Sequence, residues 1–129
     1  MIQIRSRLTV LDTSGVREVR NFDIPGRKGG NRASPGRIGD KIVGAVYRMR
    51  PGQPDTLTLR KGDVVRGILV TSKKGMPRSN GTTVRFPDNG VILLNAKGEP
   101  LAIRIRGALP MDLRKMGHAK LLLMADHIV

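Results

Sequence analysis

Residues 61–86 read KGDVVRGILVTSKKGMPRSNGTTVRF, and they combine a long apolar run, a turn signal and an alternating segment. Its first half is an apolar, β-branched run typical of a strand buried on both faces, with Gly67 placed where a barrel wall can bend. Its last residues, 82–86, alternate in polarity as a second strand would. Between them lies the pair Asn80 and Gly81, which tolerates the positive φ angles of a tight turn. The stretch therefore predicts a long β-hairpin.

The predicted tip of this hairpin carries three basic side chains and no acid, namely Lys73, Lys74 and Arg78. A run of charge on a loop is often only a solvated surface. A cationic tip on a rigid ribbon is also suited to an anionic partner. The composition of the whole chain distinguishes between these two interpretations.

Composition favours the anionic partner. The chain has 129 residues, which fits one domain, and its 24 Lys and Arg against 10 Asp and Glu give a formal charge of +14 and a pI near 11.6. Such an excess of positive charge causes repulsion within a free monomer and attracts polyanions, of which nucleic acid is the leading candidate. The absence of cysteine excludes disulfides and thiolate metal sites. No apolar run approaches the roughly 20 residues that span a bilayer, and the alternating pattern that begins at residue 2 predicts no signal peptide and no membrane partner.

Other parts of the chain predict further short strands separated by glycine- and proline-rich turns. Strands are expected within residues 1–10, 16–24, 38–47, 91–94 and 101–105, with one more at 120–124. In the first of these Arg5 and Arg7 point outward. In residues 101–106 the alternation predicts that Leu101, Ile103 and Ile105 are buried, with Arg104 and Arg106 on the opposite face.

A helix is predicted only near the C-terminus, where Pro110 suits a first helical position and Gly117 can end the segment. The whole pattern indicates a mostly β fold, a small five-stranded, OB-like barrel with a projecting hairpin and a short C-terminal helical segment. We expect a single domain, with the barrel at roughly residues 1–106 and the helical segment at roughly 107–129.

Two further basic segments lie between the predicted strands. Residues 25–39 contain five glycines, two prolines and four basic residues, which are Arg27, Lys28, Arg32 and Arg37. The turn after the next strand carries Arg48 and Arg50. Contact with phosphate would order loops of this composition.

Catalytic motifs are not evident. The run 12–15, Asp-Thr-Ser-Gly, resembles the Asp-Thr-Gly signature of aspartic proteases, but Ser14 breaks the spacing that brings two carboxylates together. The two imidazoles, His118 and His127, lack a set of companion ligands. No phosphate-loop lysine motif or nucleophile elbow occurs. We therefore predict no enzymatic activity, no metal site and no cofactor.

The small number of aromatic residues argues against a single-stranded nucleic acid as the ligand. Phe22, Tyr47 and Phe86 are the whole supply, so the chain has little with which to stack the bases of a single strand. It has 16 arginines against 8 lysines, together with glycine-rich loops that let backbone amides approach phosphate. This combination suits the shaped backbone of folded RNA.

Eight segments, in order and at matching spacing, resemble large-subunit ribosomal protein fourteen of the bacterial and organellar type. They are residues 1–3, 12–16, 38–43, 61–65, 71–75, 84–89, 91–95 and 98–100. Each is weak alone, and together they run essentially end to end. The resemblance implies a small β-barrel with a projecting ribbon, bound to large-subunit rRNA at the subunit interface.

The resemblance also implies partners: small-subunit rRNA at an intersubunit bridge, the neighbouring large-subunit protein nineteen, and a ribosome silencing factor. The chain departs from the family pattern at 102–107, at the hairpin tip 76–78 and at 118–121. Such departures favour an organellar, mitochondrial ribosome over a bacterial one.

The predicted function is thus a structural constituent of the large ribosomal subunit. The residues predicted to bind rRNA are Arg5, Arg7, Arg27, Lys28, Arg32, Arg37, Arg48, Arg50, Lys73, Lys74, Arg78 and Arg85. Arg104 and Lys120 match family positions on the exposed, factor-facing surface and are predicted to dock a protein. The alternative is a free OB-like translation or nucleoid factor that binds nucleic acid transiently.

Overall fold

A computed structural model of the chain describes residues 2–3, 5–25, 35–52 and 59–129. Nine strands dominate these residues: β1 Arg7–Val10, β2 Val16–Asp23, β3 Lys41–Met49, β4 Val64–Thr71, β5 Met76–Pro77, β6 Thr83–Val84, β7 Gly90–Leu94, β8 Ile105–Leu109 and β9 Ala125–Ile128. A 3₁₀ helix, Met111–Arg114, and a short helix α1, Ala119–Met124, lie in the C-terminal segment. The predicted mostly β fold is confirmed.

Five of the strands close into a barrel in the order β1-β2-β3-β4-β7. Neighbouring strands run antiparallel except at the closing pair, where β1 lies parallel to β7 with Val10 opposite Val91. The five-stranded barrel expected from the sequence is therefore confirmed, and its closure leaves no free edge between the first and last strands.

Strand β7 and the second half of β4 are buried on both faces because each separates two cores. Val65 and Leu69 of β4 point into the barrel, whereas Ile68 and Val70 pack against the C-terminal segment. This confirms the strand buried on both faces. Gly67 of β4 lies where this strand approaches β7 closely. A Cβ at this position would stand 2.7 Å from Val91 Cγ2 and 2.8 Å from the Ile92 carbonyl oxygen.

The predicted long hairpin is wrong in one respect: residues 82–86 do not pair with β4. Both edges of β4 are already hydrogen-bonded, to β3 and to β7, so no edge remains for a third partner. Instead β5 and β6 form a small separate hairpin. Its turn contains Asn80 and Gly81 as predicted, with Gly81 at φ 85° and the Asn80 Oδ1 accepting a hydrogen bond from the Thr82 amide at 3.1 Å.

The C-terminal segment also differs from the expectation. Residues predicted as a strand at 120–124 form α1, and the strand follows it as β9, parallel to β8. The sequence of α1, AKLLLM, consists of strong helix formers, and two consecutive leucines, Leu121 and Leu122, are buried, which an alternating strand would not allow. Pro110 lies at the N-cap of the 3₁₀ helix, one residue before the predicted position.

The predicted alternation at residues 101–105 is wrong as well. Of its three apolar residues only Ile105 is buried, whereas Ile103 is 92% exposed and Leu101 43%. The Asn95 side-chain oxygen accepts hydrogen bonds from the Lys97 and Glu99 amides and shapes a turn after β7. The Leu101 amide then donates a hydrogen bond to the Leu93 carbonyl oxygen, but residues 101–104 form no continuous ladder that would impose a period of two, and regular pairing resumes at β8.

Candidate nucleic-acid interface

The outer wall of β1, β2 and β3 presents a row of cations. Alternation along β1 and β2 buries Leu8 and Val19 in the barrel and turns their neighbours Arg7 and Arg20 outward. The register of the two strands places Arg7 directly opposite Arg20. Two like charges therefore face each other across one pair of strands.

The ring of Tyr47 in β3 contacts both of these arginines and also Arg48. The guanidinium carbons of Arg7, Arg20 and Arg48 lie 5.2, 5.3 and 5.4 Å from the centre of its ring. All three distances are within the range of a cation–π contact, which holds a guanidinium against an aromatic face. We call Arg7, Arg20, Arg48 and Tyr47 the arginine–tyrosine cluster.

One acid accompanies the cluster. Glu18 Oε2 lies 3.7 Å from the Nε of Arg48, an ion pair that is too long for a hydrogen bond. The same oxygen is buried and, in the described part of the chain, accepts no hydrogen bond. Three guanidinium groups with one loosely held carboxylate leave this wall with a net positive charge.

A second group of cations lies at the base of the small hairpin. Lys73 and Lys74 are exposed, and the Lys73 amide donates a 3.0 Å hydrogen bond to Asn89 Oδ1 that fixes the start of the turn. Gly75 follows at φ 80°, where a Cβ would stand 2.6 Å from the Cγ of Arg85. The glycine therefore lets the stem of Arg85 lie against this turn. Lys73, Lys74 and Arg85 form the hairpin-base cluster.

Arg37 joins this cluster across a cavity of about 420 Å³, whose lining includes both Arg37 and Lys74. Its position is set by Asp40, which accepts a 2.8 Å hydrogen bond from the Arg37 amide. Three other residues predicted to bind rRNA, Arg27, Lys28 and Arg32, lie outside the described residues.

Arg78 is not a bare cation at the hairpin tip. Its Nε donates a 3.1 Å hydrogen bond to Asp112 Oδ2, and its Nη2 donates a 2.7 Å hydrogen bond to the Val129 carbonyl oxygen. The side chains of Arg78 and Asp112 are only 26% and 20% exposed. Arg78 thus ties the hairpin to the C-terminal segment.

Replacing Arg78 with methionine should lower the free energy of unfolding by about 1–2 kcal/mol, since a half-buried charged hydrogen bond is lost while the aliphatic stem is kept. Urea denaturation measures the change. Arg85→Met is the matched control, because Arg85 is exposed and, within the described residues, forms no ion pair with an acid. Equal urea midpoints for the two variants would show that the hydrogen bonds of Arg78 to the C-terminal segment do not stabilise the fold.

Two other predicted rRNA residues have local roles. Arg50 is half-buried, and its Nη2 donates a 3.3 Å hydrogen bond to the Val10 carbonyl oxygen. Arg5 precedes β1 at φ 73°, a left-handed conformation that is costly for a residue other than glycine. Its amide bonds to the Asn21 carbonyl oxygen, which joins the entry of β1 to β2.

The two residues predicted to dock a protein lie on the C-terminal side. Arg104 Nε stands 3.9 Å from Asp126 Oδ1, and Lys120 Nζ stands 3.8 Å from Glu99 Oε1. Both pairs are well exposed to solvent, and such pairs add little stability. Exposed apolar residues lie beside them in sequence, Ile103 before Arg104 and the 88% exposed Leu123 one turn after Lys120.

Asp12, the residue of the protease-like motif, has a structural position. It is fully buried, and its carboxylate accepts hydrogen bonds from the Leu93 amide at 3.1 Å and from the amide and hydroxyl of Ser14. Within the described residues no group of three or more His, Cys, Asp or Glu is arranged to hold a metal ion. No helix of those residues is long and apolar enough to cross a bilayer.

Sequence reasoning missed Arg20 and the role of Tyr47. The alternation of Val19, Arg20 and Asn21 does turn Arg20 outward, a signal that was available. Its pairing with Arg7 depends on the register of β1 and β2, which the sequence does not state. Tyr47 fits an apolar strand pattern equally well, so its contact with three arginines follows only from the fold.

One comparison with known proteins identifies the family. The family model described as ribosomal protein L14p/L23e matches residues 1–129, the whole chain. The chain belongs to this family, which consists of structural proteins of the large ribosomal subunit.

Proposed function

We propose that this L14p/L23e protein binds large-subunit rRNA through the basic surfaces of its barrel and hairpin base. The observation that carries the proposal is the hairpin-base cluster, where Lys73, Lys74 and Arg85 are exposed on a turn fixed by Gly75 and Asn89. No ion pair to an acid is found for these three side chains among the described residues. Unneutralised cations on a turn with a fixed backbone provide electrostatic attraction to phosphate.

The contacts are to the RNA backbone rather than to base edges. Lys and Arg bind phosphate oxygens, and such contacts position a protein without reading sequence. Specificity for one rRNA site then comes from the shape of the folded RNA, since A-form grooves are recognised by shape and backbone. Arg37 extends the hairpin-base cluster across the cavity that it lines together with Lys74. Arg27, Lys28 and Arg32, which lie outside the described residues, are proposed as further rRNA-binding residues.

Charge reversal tests this surface. The double variant Lys73→Glu/Lys74→Glu should weaken incorporation into large subunits by more than tenfold, because two attractive phosphate contacts become repulsive. Its free energy of unfolding should stay within about 0.5 kcal/mol of wild type, since both side chains are exposed. Incorporation is measured by gradient sedimentation of a tagged chain.

The control is Arg60→Glu/Lys61→Glu, which makes the same charge change on an exposed turn outside the hairpin-base cluster. Equal incorporation of both double variants would show that net charge alone decides binding, and the hairpin-base assignment would fail.

The finer assignments inferred from the resemblance are proposals too. They are contact with small-subunit rRNA at an intersubunit bridge, with large-subunit protein nineteen, and with a ribosome silencing factor, on an organellar ribosome. The C-terminal side supports protein docking, because Ile103 and Leu123 are exposed apolar residues beside the charged pairs of Arg104 and Lys120.

Alanine variants at Arg104 and Lys120 separate docking from RNA binding. We expect normal entry into large subunits and altered joining to small subunits or altered factor binding, because the weak exposed pairs contribute little to folding. Subunit profiles with and without added small subunits provide the measurement. A defect in binding free large-subunit rRNA would instead assign both residues to the RNA surface.

A further inference from the structure

We infer that the arginine–tyrosine cluster is a preassembled receptor for consecutive phosphate groups of an RNA backbone. The inference rests on the proposed rRNA binding and adds to it a defined site, a mode of contact and a residue, Arg20, that the sequence did not single out. The site comprises Arg7, Arg20 and Arg48, with Tyr47 as a positioning residue that arranges the three arginines.

The cluster brings like charges together. Arg7 and Arg20 lie directly opposite each other on adjacent strands, and like charges in that position destabilise a sheet. A third guanidinium, from Arg48, shares the same aromatic ring. The free protein therefore bears a repulsion that an anion between the guanidinium groups would relieve.

The three arginine side chains of the cluster are pre-organised. Arginine side chains lose considerable rotamer freedom when a ligand fixes them. Here the Tyr47 ring already holds all three guanidinium groups at 5.2–5.4 Å from its centre. Much of that ordering is therefore complete before RNA arrives, and less affinity is lost to it.

The covered ring of Tyr47 favours a phosphate ligand over a stacked base. An exposed aromatic ring usually marks a platform on which a base stacks. The Tyr47 ring is instead covered by guanidinium groups, whose planar forks match the oxygens of a phosphate. Several such forks on neighbouring strands suit a ligand with repeated negative charge, which an RNA backbone supplies.

Glu18 gives the site a counter-ion that can be exchanged. Its carboxylate is 3.7 Å from Arg48 Nε, close enough to offset part of the charge and too far for a hydrogen bond. Arg48 can therefore turn to a phosphate without breaking a hydrogen bond to Glu18. In the free protein the same carboxylate limits the repulsion within the cluster.

The test compares Arg20→Gln with Arg17→Gln. Both residues are exposed on β2 and both changes remove one positive charge, but Arg17 makes no contact with the Tyr47 ring. With a folded large-subunit rRNA fragment, Arg20→Gln should weaken binding about fivefold at physiological salt and reduce the slope of log K against log salt by about 1. Arg17→Gln should change both quantities clearly less.

Two further variants separate binding from folding. Arg20→Glu should lose more affinity than Arg20→Gln while its Tm is no lower than that of wild type, because the new carboxylate faces Arg7. Tyr47→Leu should lower affinity, whereas Tyr47→Phe, which keeps the ring, should restore it. A merely structural role for these residues would instead lower Tm in step with affinity.

The outcomes distinguish this inference from the proposed function. If wild type binds the rRNA fragment with a steep salt dependence but Arg20→Gln behaves as Arg17→Gln does, the cluster is not an RNA site and rRNA binding by the chain stands. If Arg20→Gln binds free rRNA normally yet is lost from assembled subunits, an acidic protein segment occupies the cluster and the inference is overturned. Failure of wild type to bind rRNA would instead contradict the proposed function.

Discussion

Asp12→Ala should lower the free energy of unfolding by about 3 kcal/mol, the largest stability effect that we expect from a polar substitution in this chain. The fully buried carboxylate accepts hydrogen bonds from the Leu93 amide and from the amide and hydroxyl of Ser14. Alanine would leave the amide of Leu93 buried without a partner, and the turn after β1 would lose its anchor to β7. Urea denaturation or a fall in Tm of roughly 10 °C would measure the loss.

Asp23→Ala provides the control, because Asp23 is exposed at the end of β2 and its removal should change stability by no more than about 0.5 kcal/mol. Asp12→Asn should fall between the two, since an amide has only one accepting atom for the two groups of donors. Equal stability of the Asp12 and Asp23 variants would show that the buried hydrogen bonds of Asp12 do not hold the turn.

Binding to an rRNA fragment should weaken on the order of a thousandfold between about 50 and 200 mM salt, the largest effect that we expect on affinity. About six phosphate contacts, spread over the hairpin-base cluster, Arg37 and the arginine–tyrosine cluster, would release enough counterions to produce a slope of this size. A filter-binding or fluorescence titration at several salt concentrations measures it.

The double variant Lys73→Glu/Lys74→Glu should show a shallower slope, because two of the contacts are removed. A nearly flat salt response of the wild-type chain would contradict phosphate recognition, whatever its affinity at a single salt concentration.

The parts of the fold that could be predicted from the sequence are strands and turns whose own residues indicate them. The apolar run of β4 indicated a strand buried on both faces and that of β7 indicated a short strand, and both lie between the two cores of the structure. The pair Asn80 and Gly81 indicated a turn, which is present. Such patterns are predictable because the polarity of successive residues indicates burial, and residues such as Asn and Gly indicate a positive φ, all within one short segment.

Features that depend on which segments meet were not predictable in the same way. The partner of β4 depends on closure of the barrel, so residues 82–86 were assigned to it wrongly. The hydrogen bonds of Arg78 reach Asp112, 34 residues away, and no local pattern indicates that contact. The opposition of Arg7 and Arg20 likewise requires the register of two strands.

The central claim is that the chain works as a fixed structural component of the large ribosomal subunit, bound to its rRNA. The most direct measurement is gradient sedimentation of cell extract after a salt wash that strips loosely bound factors, with the chain detected in every fraction. We expect one copy of the chain per large subunit and almost none at the top of the gradient. A chain found mainly at the top after the wash, or sedimenting with DNA, would identify a free nucleic-acid-binding factor and contradict the account.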